Sequence, residues 1–230
     1  MQQKDIKLLR FIPLFLRKFY RMKPLVILAL LLPLFFTAKS QKPRIAVKGG
    51  YNHSTARIQL NNVKQATGYI PGVNLGVQVK ADFDPPLNFT GLLSYNMRGY
   101  TLSPVNNDTQ KIETRFHNIN LAPMLSYDIA VGKKGLIVLT AGPMAGLAIS
   151  GTQKITVDDV TSSSKMIFSM TDHFGPIDLA IYNSIGYHFD KFFVEASYHL
   201  GFVSINNNEE FDKTNIKNRG LGLSLGYYIN

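Results

Sequence analysis

Acid–base chemistry in this chain would have to come from five histidines, His53, His117, His173, His188 and His199, which are scattered over five elements. His117, or His173 beside Asp172, has the makings of a rim pair that could act on lipid, the one enzymatic reading open to these residues. Around them there is no G-x-S-x-G, no P-loop, no H-E-x-x-H and no paired metal-ligand spacing. The chain has no cysteine, which removes thiolate nucleophiles, thiolate metal sites and disulfide scaffolds. Asp158, Asp159, Glu209 and Glu210 are acids that could meet Ca²⁺, but they lack an EF-hand spacing and read as solvated loop. The expectation is a protein that is not an enzyme, with no catalytic residues, no cofactor and no metal.

The elements that carry these residues are strands. Val73, Leu75, Val77 and Val79 alternate with Asn74, Gly76, Gln78 and Lys80. The same period of two runs through Ile119–Asp128 and Gly220–Ile229, and it places one set of side chains on each face of a strand. Eight strands are expected, at about 45–54, 70–83, 88–101, 115–129, 136–150, 174–189, 192–205 and 218–230. Their connections alternate long and short. The short ones hold Asp84-Pro85-Pro86, Gly132-Lys133-Lys134-Gly135 and Asp190-Lys191; the long ones are polar, as at Asn106-Asn107-Asp108 and Ser162–Ser164. A tilted membrane strand needs about 9–11 residues, against about 5–6 for an average soluble strand. The fold class is therefore all-β: an eight-stranded antiparallel up-and-down transmembrane β-barrel. A soluble lipocalin-like barrel shares the strand number but would turn its apolar residues inward. Here the alternate face is small and polar, so apolar-out with polar-in is the better fit. Phe83, Phe89, Tyr127, Tyr187, Phe189, Phe192 and Tyr227 then fall near the short-turn rim as an aromatic girdle.

The formal net charge of +10 would suit a nucleic-acid binder if it lay on the folded part. It does not: residues 1–40 contain eight basic residues and one acid, leaving a net of only +3 for the remainder. Those 40 residues read as a signal peptide. Met22-Lys23-Pro24 precedes twelve apolar residues, Leu25–Phe36, and Ala38 and Ser40 form a small-x-small cleavage site. Twelve residues rise about 18 Å as a helix, short of a hydrocarbon core of about 30 Å. An uncleaved anchor is the alternative. Residues 1–21 are either a long n-region or the product of an upstream start with Met22 the true one. Residues 41–230 form the barrel domain.

On the polar face, Lys48, Lys80, Arg98, Asp178 and Glu195 stand out. Eight strands enclose a bore that side chains fill, and unpaired charges there are expensive. Strand direction places Lys80 and Glu195 near the short-turn end and Arg98 and Asp178 near the long-loop end. The expectation is two ion-pair clusters, Lys80 with Glu195 and Arg98 with Asp178, that plug the bore.

Val47-Lys48-Gly49-Gly50-Tyr51-Asn52-His53-Ser54 resembles the K-G-G-x-N-x-S opening of the PorT-like outer-membrane β-barrel family. Leu92–Tyr100, Asn118–Tyr127, Ala141-Gly142-Pro143 with Gly146, and Asp172–Gly175 follow in that family's order, so the resemblance covers about residues 45–230. It implies a small eight-stranded barrel in the outer membrane, in a family some of whose members are linked to protein secretion or gliding machinery. The function expected is structural or interactive, through the long surface loops, with an accessory role in secretion. The alternatives are a narrow pore for small solutes and a lipid-modifying barrel enzyme. The partners expected are outer-membrane lipid, lipopolysaccharide and an unidentified envelope protein, not nucleic acid.

Overall fold

Ten strands form in the computed structural model, which describes residues 43–103, 110–169, 174–207 and 214–230. The expected signal peptide and the two readings of residues 1–21 lie outside the described residues, as do Asp172, His173, Glu209 and Glu210. The strands are β1 (Arg44–Leu60), β2 (Val63–Lys64), β3 (Ala66–Asp84), β4 (Leu87–Ser103), β5 (Gln110–Val131), β6 (Gly135–Val157), β7 (Val160–Lys165), β8 (Ile177–Phe189), β9 (Phe192–Gly201) and β10 (Thr214–Tyr228). Eight of them make an antiparallel ring in the order β1-β3-β4-β5-β6-β8-β9-β10, and β10 closes on β1 from Ala46↔Tyr228 to Leu60↔Thr214. This closure gives every wall strand of the ring a partner on both sides and leaves no open sheet edge for lipid to meet.

The two extra strands correct the expectation that residues 55–69 and 151–173 are plain loops. β1 runs on beyond its pairing with β3, which ends at Ser54↔Ile70, and turns at Asn61-Asn62 into β2; β6 runs on beyond its pairing with β8, which ends at Leu147↔Ile177, and turns at Asp158-Asp159 into β7. All four turn residues have positive φ, between 48° and 65°. Asn and Asp tolerate the left-handed region, and two such residues in succession suit the tight hairpin turn whose twist matches the strands. Asp158 and Asp159 are thus turn formers. On the opposite rim the connections are short, and Gly132 (φ +64°) and Asp190 (φ +52°) serve the same purpose.

Prolines mark where the ladder is interrupted. The β5–β6 register shifts by one residue at Ile149, between His117↔Ser150 and Asn118↔Ala148, then runs to Leu121↔Ala145 and resumes at Leu125↔Ala141, so Pro123 and Pro143 face each other in the gap. Neither has an N–H to donate. Pro71 occupies a similar gap between β3 and β4, between Tyr69 and Asn74.

The faces fall as the alternation requires. Leu75 is 61% exposed, Leu121 43% and Leu223 58%, whereas Asn118 and Asn120 are each 1% exposed. Water would penalise such an exterior by about 1.5–3 kcal/mol for each large apolar side chain left unburied. Lipid removes that penalty, so the orientation excludes the soluble barrel. The aromatic girdle is present at the short-turn rim. Phe83 meets Phe89 at 4.7 Å, Phe189 meets Phe192 at 6.0 Å and Phe192 meets Tyr227 at 5.1 Å, centroid to centroid. A second belt, of tyrosine and histidine, lies toward the long-loop side: Tyr51–His53–Tyr69 (6.1 and 5.0 Å) and Tyr95–His117 (5.9 Å).

Candidate functional site: a closed lumen

The interior is built in layers. At the short-turn end Ala46, Phe193 and Tyr228 pack together. His188 stacks on Phe193 (4.6 Å, 11°), and its Nδ1 lies 3.1 Å from the Tyr228 hydroxyl. Gly226 makes this layer possible, because a Cβ there would stand 2.0 Å from the Phe193 ring. At the long-loop end a larger apolar layer holds Ala56, Ile58, Tyr100, Phe116, Ile205 and Ile216, with Leu102, Met166, Phe168 and Phe174 packed against it. Leu92, Ala122, Met124, Met144, Ala180 and Tyr182 form a third apolar group inside the wall. Met124, an apolar residue in the inward series Asn118, Asn120, Ser126, belongs to this group.

Three ion pairs occupy the levels between and beside these layers. Lys48 Nζ donates to Glu195 Oε1 at 2.6 Å and to the Tyr182 hydroxyl at 3.1 Å, and Tyr182 in turn donates to Glu195 Oε1 at 2.6 Å. Lys80 Nζ donates to Asp128, 2.6 Å from Oδ2. Arg98 Nη1 stands 3.4 Å from Asp178 Oδ2, which also accepts from Asn218 Nδ2 at 3.1 Å. Five of these six residues are under 7% exposed, and at the short-turn rim Arg44 adds a further cation 3.9 Å from Asp128 and 3.7 Å from Asp82. Neutral pairs fill in between, including Thr90 with Ser126 (2.8 Å) and Ser224 with Asn74 (3.0 Å).

Of the two expected pairs, Arg98–Asp178 forms and Lys80–Glu195 does not. Glu195 takes Lys48, and Lys80 takes Asp128. Lys48 and Glu195 sit on β1 and β9, with only β10 between them, and β10 presents Ser224 and Gly226 inward at that level. Lys80 and Asp128 sit on β3 and β5, separated by the inward Asn88 and Thr90 of β4. Each lysine therefore reaches across one strand of small side chains instead of across the bore. Arg98 is the longer reach, over the Asn120–Gly146–Asp178 row of β5, β6 and β8. A Cβ at Gly146 would stand 2.6 Å from Asn120 Oδ1, so this glycine keeps the row open. Asp128 continues the inward series Asn118, Asn120, Ala122, Met124, Ser126, and that alternation was the signal for it. Tyr182 carries no comparable signal, because tyrosine is as common on outward faces.

His117 does not line the lumen. It lies on the outer face, its Nδ1 2.6 Å from the Tyr95 hydroxyl, so it forms no rim pair with an inward acid. Among the described residues no group of three His, Cys, Asp or Glu is placed to hold a metal. An internal cavity of about 20 Å³ is lined by Lys48, Asn74, Arg98, Tyr182 and His199 among others. About one water fits in such a volume.

A family model, the outer membrane protein beta-barrel domain, matches residues 39–207. No curated protein matches the chain. Among solved structures it is similar to Neisserial surface protein A (12% identity, 81% of this chain and 99% of that one, TM-score 0.41). It is also similar to Ail, the attachment invasion locus protein of Yersinia pestis (15%, 82% and 100%, 0.41). A third is the outer membrane protein OprG from Pseudomonas aeruginosa (10%, 81% and 96%, 0.45).

Proposed function

Because this chain belongs to the outer membrane protein beta-barrel domain family and resides in the cell outer membrane, we propose that it is a non-conducting, non-enzymatic barrel that acts through its long-loop face. The observation that carries this reading is the lumen: apolar layers toward both ends, a balanced set of ion pairs between, and an internal cavity of about 20 Å³. A wall this occupied leaves the outer extensions, β1–β2 and β6–β7, as the surfaces free to meet other molecules. The PorT-like motif order supports a finer assignment within the family, an accessory role in protein secretion with an envelope protein as partner. The mature chain would then begin at Gln41, which N-terminal sequencing of membrane-extracted protein reads directly.

The test combines two measurements on the full chain. Liposomes carrying the barrel should not swell in small sugars or amino acids. A photo-crosslinking side chain at Thr161, in the β7 extension, should capture an envelope protein in cells, whereas one at Lys133 in the short turn should not. Swelling in either solute, or equal capture at both rims, would overturn the reading. The second reading is a narrow pore. Unpartnered polar atoms on the inner wall favour it: both side-chain amide atoms of Asn118 and of Asn120, Asp178 Oδ1 and His199 Nε2. Swelling would select it.

A further inference from the structure

On the outer face, Arg57 of β1 lies directly across from Lys217 of β10, and Arg219 lies one outward step lower, across from Thr55. All three point away from the lumen, since Ala56, Ile58, Ile216 and Asn218 beside them are buried inside. Like charges directly opposite each other destabilise a strand pair. Elsewhere among the described residues such a meeting is offset by a carboxylate: Arg44 of β1 stands across from Lys80 of β3, and both reach Asp128. Each lumen cation has a carboxylate, and Arg115 on the outer face has Glu113 at 2.6 Å. Arg57, Lys217 and Arg219 have no carboxylate within 4 Å among the described residues, and Arg219 Nε has neither solvent nor a hydrogen-bond partner.

Height on the wall says what anion would meet them. Below Arg219, the outward residues of β10 are Leu221, Leu223, Leu225 and Tyr227, all exposed and apolar. Below Arg57, the outward residues of β1 lead through Thr55 to His53 and Tyr51 of the tyrosine–histidine belt. The cluster is thus the first charged level above the apolar band on the long-loop side, where an outer-leaflet headgroup sits. Two guanidiniums and an ammonium occupy neighbouring register positions there, a set that suits a phosphate group with several acceptor oxygens. We propose that the β1–β10 seam is a binding site for the phosphate-bearing headgroup of an outer-leaflet glycolipid of the lipopolysaccharide type. Its acyl chains would lie along the leucine row of β10, and the bound phosphate would offset the repulsion across the seam that closes the barrel.

The test uses full-length barrel in phosphatidylcholine vesicles doped with lipid A or with the same glycolipid after enzymatic removal of its phosphates. Glycolipid retained per barrel is measured after detergent extraction and washing. Retention of the phosphorylated form should exceed that of the dephosphorylated form by about tenfold, the scale of one charge-assisted hydrogen bond. The triple variant Arg57→Gln/Lys217→Gln/Arg219→Gln should lose the preference. Lys111→Gln/Lys154→Gln/Lys165→Gln, which removes the same charge elsewhere on the loop side, should keep it. Folding is checked by heat-dependent gel mobility. If the triple variant does not fold, Arg219→Lys, which keeps the charge but not the planar fork, should retain less phosphorylated glycolipid than the unmodified chain. Equal retention of the two glycolipids, a preference that survives the seam substitutions, or an equal loss in the control variant would overturn the proposal.

Discussion

Lys48 and Glu195 show how a lumen charge is worth more when it is removed than when it is counted. Both are buried, at 6% and 4% exposure, and Tyr182 completes a triangle with them. Replacing Lys48 by Met leaves a buried carboxylate with only the tyrosine hydroxyl as donor and should cost about 3–5 kcal/mol. The double variant Lys48→Met/Glu195→Gln should recover much of that loss, because no uncompensated charge remains. Denaturant unfolding in lipid vesicles measures both, and a double variant no more stable than the single would contradict the pairing. On the opposite face, Leu121→Arg should cost about 2–4 kcal/mol if the residue lies near the bilayer midplane. Leu121→Ala, measured the same way, should cost less. The inward or outward direction of each of these residues was legible from the period of two. Which carboxylate each lysine takes was not. That choice depends on the side chains of the intervening strand, and only the register reveals that Gly226 and Ser224 lie between Lys48 and Glu195.

At the level of elements, strand identity was plain and strand length was not. Alternation marks residues 115–129, yet β5 runs from Gln110 to Val131 and β6 extends to Val157. Beyond the membrane the outward face has no reason to be apolar, so the alternation that identifies a strand fades while the backbone pairing continues. Two-residue turns were the remaining clue. Asn61-Asn62 and Asp158-Asp159 both end such extensions. Asp159→Val should therefore cost about 1–2 kcal/mol through the left-handed backbone it must adopt, confined to the β6–β7 extension. Hydrogen exchange should quicken across Val160–Lys165 and stay unchanged in the ring strands; a change spread through the ring would show that the extension is part of the barrel's cooperative unit. Gly226→Ala acts differently. Its Cβ would collide with Phe193, and overpacking of this kind typically costs about 1–3 kcal/mol. Thermal unfolding in detergent should show the loss, and Phe193→Leu in the same chain should restore part of it.

The described residues of the barrel domain make a membrane wall around a core filled by side chains. Its exterior is solvated by lipid, and its interior is packed much as a small soluble protein is, with apolar layers toward each end and charge balance in between. Eight strands make this outcome natural, because the bore they enclose is just wide enough for side chains to fill. The closed lumen is the central claim, and single-channel recording of the purified full chain in a planar bilayer tests it most directly. The unmodified barrel should show no discrete conductance steps across applied voltage, whereas Lys48→Ala/Glu195→Ala, which empties the level between the apolar layers, should admit small ion currents. Reproducible unitary steps in the unmodified barrel, unaffected by that double substitution, would contradict the account.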